Sequence, residues 1–272
     1  MSPEQLGYQI LALAQTSAQA PKPQWIETLD AVGLFVDRAG WPIVALTALV
    51  LLRKRLANLR WLKLKDYVEM DLGRELEKVE RNAPVTDKAA PPSADELAKA
   101  GQIERLASKV EPEQVRRAAV DLANEYERVR ASASPGHART RRMEVVMSKM
   151  RALGRAVIPF RYELRASASP GQRLMAIASY QVAPDYEALG WLVERVGEEK
   201  PFVGYHAAVA LLGAAQDGGA GEHLKELQEA EKLAAALKLD PDTDRNMTIQ
   251  GFRAQVQSLE AQQAAQRKAV TE

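Results

Sequence analysis

Arg130-Ala-Ser-Ala-Ser-Pro-Gly136 returns unchanged, thirty-five residues on, as Arg165-Ala-Ser-Ala-Ser-Pro-Gly171. A Tyr-Glu pair precedes each copy, Tyr126-Glu127 and Tyr162-Glu163. Physically the heptapeptide reads as a joint: the end of one helix, a Ser N-cap, and Pro at the first position of the next, where its missing N–H costs nothing. Repeats with a period of 20–50 residues are characteristic of stacked helical arrays. The stretches after the two copies differ (HARTRRMEVVMSKM against QRLMAIASYQVA), so the repeat is a shared joint and not a duplicated unit.

The same punctuation extends outward. Glu111-Pro112, Ala183-Pro184, Lys200-Pro201 and Asp240-Pro241 each set Pro near a helix start, and Ser93-Ala-Asp-Glu96 has the spacing of a capping box. Apolar residues then recur at helical intervals. Val115, Ala119, Leu122, Tyr126 and Val129 form one stripe; Met143, Val146 or Met147, Met150, Leu153 and Val157 form a second; Phe202, Tyr205, Val209 and Leu212 form a third. These features predict an α-helical domain over 93–268, built as an array of helices or as an irregular bundle.

Composition agrees with a folded, helix-rich chain. Of 272 residues, 46% are hydrophobic, 27% charged and 6% aromatic, with a formal net charge of +1. The chain has no cysteine, which removes disulfides, thiolate nucleophiles, zinc ribbons and iron–sulfur clusters. It has three histidines.

The N-terminal third reads differently. Ala39–Leu52 (AGWPIVALTALVLL) is free of charge and stops at Arg53-Lys54-Arg55. Fourteen helical residues reach about 21 Å, short of the roughly 30 Å of hydrocarbon; extension back through Ala31–Val36 reaches about 33 Å and takes in Asp37 and Arg38. The expectation is a transmembrane helix over 29–55, with Gly33, Trp41, Pro42 and Leu52 in the span and Asp37–Arg38 as an intramembrane polar pair near its outer end. A core helix, a re-entrant helix and a cleaved signal peptide ending near Ala20 are the competing readings. The excess of Lys and Arg after the span puts residues 56–272 in the cytoplasm and the protein in an inner membrane, with 1–28 outside. From Leu62 to Leu72 apolar residues share one parity, which predicts a juxtamembrane strand or hairpin within 56–81, or a stretch lying on lipid headgroups. A strand without a partner in its own chain implies a homo-oligomer. Arg74–Arg81 reads as a short charged helix, and 82–92 as a Pro/Ala-rich linker. The expected fold class is therefore mainly α: a transmembrane helix, a short strand, and a helical array or bundle.

Charge is segregated along the chain. From His137 to Arg165 eight basic residues face two acidic ones, a net of +6; from Asp185 to Glu231 ten acidic residues face three basic ones, a net of −7. Arg139, Arg141, Arg142, Lys149, Arg151 and Arg155 form the candidate basic surface, for anionic lipid or an acidic partner. Only Phe160 and Tyr162 interleave the run, which disfavours nucleic acid. The alternative is a set of solvated faces that neutralise one another.

No catalytic pattern stands out: there is no Gly-x-Ser-x-Gly, no phosphate-binding Gly-x-x-x-x-Gly-Lys loop and no His-Glu-x-x-His. Ser134 and Ser169 read as N-caps. Asp240-Pro-Asp-Thr-Asp244 lacks the Gly and the distal Glu of a calcium loop and reads as a helix-start turn. His206 reads as a core or groove histidine, and Met143, Met147 and Met150 as core filling. No cofactor and no metal are expected.

Two resemblances follow from these residues. Trp41-Pro42, the apolar run, Arg53-Lys54, Leu59-Arg60, Leu62-Lys63, Glu69 and Gly73-Arg74-Glu75-Leu76 resemble the anchor region of short bacterial membrane proteins, which implies an anchor and a cytoplasmic domain. Residues 169–216, with Ser169-Pro170, an Ala-rich face and Lys200-Pro-Phe through Leu211-Leu212, resemble HEAT-like repeats, which implies a protein-binding scaffold. Together they describe a membrane-anchored helical adaptor or sensor without catalysis; the alternative is an oligomerising effector whose span perturbs the bilayer.

Overall fold

Leu72, Leu76 and Val79 recur at the spacing of one helix face, and the chain through 72–82 is helical, with those three side chains against the core. This helix is α1. The computed structural model describes residues 72–83 and 91–271, all within one unit of the chain.

Among these described residues nine further α-helices follow: α2 Ala94–Ala107, α3 Pro112–Ser132, α4 His137–Leu153, α5 Arg161–Ala166, α6 Pro170–Val182, α7 Leu189–Glu198, α8 Pro201–Gln216, α9 Leu224–Ala235 and α10 Asp244–Thr271. Their starts have local causes. Ser93 and Glu96 close a reciprocal capping box at α2, at 3.2 and 3.0 Å. Pro occupies the first turn of α3, α6 and α8, and Ser169 Oγ accepts from the Gln172 amide at 3.1 Å.

Packing proceeds in pairs: α3 with α4, α5 with α6, α7 with α8, α9 with α10. The second helix of each pair also touches the second helix of the next, so α4, α6, α8 and α10 form a continuous row, of which α4, α6 and α8 are the inner members. The inner position explains composition. In α6 every residue from Leu174 to Val182 is buried, as expected of a helix apolar all round. The stripes on α3 and α4 face the core as their spacing requires. On α8 the burial is wider than one stripe: Phe202 and Val209 are buried, Tyr205 and Leu212 only half-buried, and Val203, Ala207, Ala210 and Leu211 complete the inner face.

The expected fold class is corrected in two respects. The described residues are helical throughout and include no β-strand. Leu72, placed at the end of an alternating strand, lies in α1 because its contacts follow the 3.6-residue period with Leu76 and Val79. Residues 62–71 lie outside the described residues. No helix among the described residues is long and apolar enough to cross a membrane, against the expected transmembrane helix. The most apolar helix, α8, has 16 residues and spans about 24 Å; the longest, α10, has 28 but is studded with Arg, Gln and Glu. The span expected over 29–55, with Gly33, Asp37, Arg38, Trp41, Pro42 and Leu52, lies outside the described residues, as do 1–28 and 84–90.

Helix α1 is tied to the array by charge as well as by its apolar face. Glu80 accepts from Lys149 at 3.0 Å, and Glu75 pairs with Lys99 and, at 2.6 Å, with Lys78. These two cations hold the Glu75 carboxyl below its ordinary range.

Candidate functional site

Helix α4 touches α2, α3 and α6, so successive residues, turned 100° apart, cannot all face solvent. Its basic residues divide accordingly. Arg141 and Arg142 are exposed. Lys149 is buried, its ammonium between Glu125 at 2.7 Å and Glu80 at 3.0 Å. Burial alone would push Lys149 down, but the two carboxylates outweigh it and hold it above its ordinary value. Arg151 is buried too; its Nε donates to Gln181 Oε1 at 2.6 Å and its Nη1 to Glu96 Oε1 at 3.2 Å. Arg155 is half-buried, with Nε at 3.4 Å from the Val182 carbonyl and Nη1 at 4.0 Å from Glu104. Arg139 is half-buried and donates to the Ala133 carbonyl at 3.3 Å. The six residues therefore do not form one surface. Lys149 and Arg151 are internal cross-links between helices.

A polar line runs from Arg151 into the core. Gln181, having accepted from Arg151, donates through Nε2 to the backbone carbonyl of His206 at 2.7 Å. The His206 ring is fully buried, edge-on to Phe202 at 4.5 Å between centroids. Its Nε2 lies 3.3 Å from Glu144 Oε1 but out of line for a hydrogen bond, and neither ring nitrogen has a hydrogen-bond partner among the described residues. Burial pushes the imidazole below its ordinary value; the Glu144 carboxylate pulls it back and is outweighed. A sealed, neutral ring cannot exchange protons with a substrate, so His206 is core behind Phe202 and Glu144 and not a base in an open site.

Phe202 and Glu144 line a cleft of about 490 Å³. It forms where α3 ends and where α4, α8 and α10 begin. Its cations are Arg130, Arg139 and Arg245; its carboxylates are Glu144, Asp242 and Asp244; Phe202 and Tyr205 form an aromatic wall. Phe202 is held in place by stacking on Tyr126 at 5.6 Å. Burial, with Asp244 and Glu144 adding to it, raises the Tyr205 phenol. Each arginine is anchored through Nη1: Arg130 to the Tyr126 hydroxyl at 3.0 Å, Arg139 to Ala133, and Arg245 to the carbonyls of Val196 at 2.9 Å and Glu199 at 3.4 Å. Such a cleft suits recognition of charged groups held at fixed positions.

Other sequence candidates fall elsewhere. Ser169 caps α6, whereas Ser134 is exposed and caps nothing: α4 opens after Gly136, without a side-chain cap. Met143, Met147 and Met150 are buried in the core. Asp240 accepts from the Asp242 amide at 3.3 Å in a turn before α10. Among the described residues no group of three or more His, Asp or Glu is placed to hold a metal ion. Arg130, Glu144, Gln181 and Arg245 were not singled out from the sequence. Two of them left a signal: Glu144 is the lone acid in the basic stretch of α4, and Gln181 is a polar residue in an otherwise apolar helix.

No protein-family model, no curated protein and no solved structure matches this chain.

Proposed function

We propose that this chain is a helical scaffold that works by binding protein partners and copies of itself. The observation that carries the reading is the separation of charge on its outer faces. Arg128 on α3 and Arg141 and Arg142 on α4 are exposed and make no ion pair among the described residues; Arg128 and Arg142 border one shallow groove between these helices. Glu187, Glu194, Glu198, Glu222, Glu226 and Glu229 are exposed on and around α7 and α9, where Lys200 and Lys225 are the exposed bases between 185 and 231. The stacked helix pairs, with α4, α6, α8 and α10 in one continuous row, support the HEAT-like reading, since such rows offer long outer faces to partners. A basic face and an acidic face on one chain suit head-to-tail contact between copies.

Individual exposed ion pairs are worth about 0.2–1 kcal/mol and are screened beyond about 10 Å at 0.1 M salt, so association of this kind depends on several pairs at once. Sedimentation velocity of the full chain tests it. Self-association at low salt that dissolves at high salt is expected, and the double change Arg141→Glu with Arg142→Glu is expected to abolish it. A monomer at every salt concentration, or oligomers unmoved by the double change, would sink the self-assembly reading.

A further inference from the structure

Four arginines that face inward among the described residues are tied to carboxylates. Arg151 pairs with Glu96, Arg161 with Asp185, Arg173 with Glu199 and Arg253 with Glu231. The cleft at the starts of α4, α8 and α10 departs from that habit. Arg130, Arg139 and Arg245 share it with Glu144, Asp242 and Asp244, yet among the described residues no ion pair joins any of the three cations to any carboxylate. Each arginine is braced by Nη1 on a fixed acceptor, while its Nη2 makes no hydrogen bond among the described residues. The Arg139 Nε is buried and also without a partner. These are donors held in place, with their Nη2 groups open to an acceptor.

Two further features have the same sign. Helices α4 and α8 begin at the cleft with no side-chain cap and no acid in their first turns, so their own residues do not compensate the positive ends of the two helix dipoles. An anion is favoured at that end.

Glu144 has the opposite need. Glu144 is 6% exposed, and its carboxylate accepts no hydrogen bond among the described residues; its neighbour at 3.3 Å is the neutral His206. Asp242 and Asp244 are exposed at the mouth, where water satisfies them. A plain anion would be repelled by Glu144, and a plain cation by the three arginines. Glu144 is five residues beyond Arg139 on one helix, about 7.5 Å along its axis.

We propose that this cleft binds a small organic zwitterion, its anionic group on Arg130, Arg139 and Arg245 and its ammonium group, roughly a helix turn and a half away, on Glu144. The scaffold would then carry a metabolite-sized ligand where three of its helices start. This inference is independent of the self-assembly reading, since the cleft and the exposed Arg141/Arg142 face are different surfaces.

Calorimetric titration of the full chain with 3-aminopropylphosphonate tests it, with propylphosphonate and propylammonium as matched halves. The zwitterion is expected to bind about tenfold tighter than either half, the effect of one added charge-assisted contact at each end. Arg139→Gln and Arg245→Gln should each weaken the zwitterion about tenfold. Glu144→Gln should remove the preference for the zwitterion over propylphosphonate while propylphosphonate itself binds as well or better. Thermal melting of each variant establishes that it is folded; if Glu144→Gln is not, the two arginine variants and the comparison of the three ligands on the unaltered chain still decide. Equal binding of zwitterion and propylphosphonate, or no heat with any of the three on folded protein, would overturn the proposal and leave the cleft as hydrated surface.

Discussion

In the copy of the heptapeptide at 165–171, Ser169 caps α6 while its hydroxyl donates to Glu127 at 2.6 Å, and the Gly171 amide donates to the same carboxylate at 3.1 Å. A Cβ on Gly171 would come within 2.4 Å of the Ala123 carbonyl oxygen, so α6 starts in direct backbone contact with α3. In the copy at 130–136, Ser134 and Pro135 are exposed, and α4 starts only at His137. There Gly136 takes φ 147° and ψ 176°, a conformation essentially reserved for glycine, and a Cβ on it would meet nothing within 4 Å. The leading arginines diverge as well. Arg165 lies over the rings of Tyr162 and Trp191, whereas Arg130 bonds Tyr126 and faces the cleft. Identical local preferences meet different neighbours: only in the second copy do Glu127 and Ala123 of α3 meet the Ser and the Gly.

Substitutions at matched positions can break this contrast. The largest effect is expected for Gly171→Ala, where only backbone atoms stand in the way and two helices must separate. A loss of about 3 kcal/mol in urea unfolding is expected. Gly136→Ala should cost less, about 1–2 kcal/mol, because conformational strain is its only penalty. If the two glycine changes cost the same, the close approach at Gly171 is not what distinguishes the copies.

Glu127→Ala removes the carboxylate that holds Ser169 and Gly171, and should cost about 1–2 kcal/mol, with faster amide exchange in the first turn of α6 and none in α4. Exchange that accelerates equally in both helices would show that the tie is not local. The smallest effects are expected at the serines. Ser169→Ala should cost about 1 kcal/mol as the loss of a cap, and Ser134→Ala should stay within about 0.5 kcal/mol. A comparable loss at Ser134 would mean that it caps α4 in solution.

Several features were legible in the sequence because they depend on residues within one or two turns of each other. The capping box of Ser93 and Glu96, Pro in the first turn of α3, α6 and α8, and the apolar stripes of α3 and α4 are of this kind. At Leu72, the last residue of the alternating reading and the only one of it among the described residues, packing with Leu76 and Val79 against the core follows the helical period instead. The candidate basic surface failed differently. A run of like charges says nothing about which neighbours a helix will have, and with α2, α3 and α6 around α4, Lys149 and Arg151 became buried cross-links.

Local sequence thus determined that this region is helical and where several of its helices begin, because caps, proline and periodicity act through backbone hydrogen bonds a few residues long. Tertiary structure alone decided which identical heptapeptide caps a helix and which leaves its glycine strained. It also decided that Arg130, Arg139, Glu144 and Arg245, up to 115 positions apart, face one cleft. Such gatherings depend on burial and long-range electrostatics, which exist only once helices distant in the chain have been brought together.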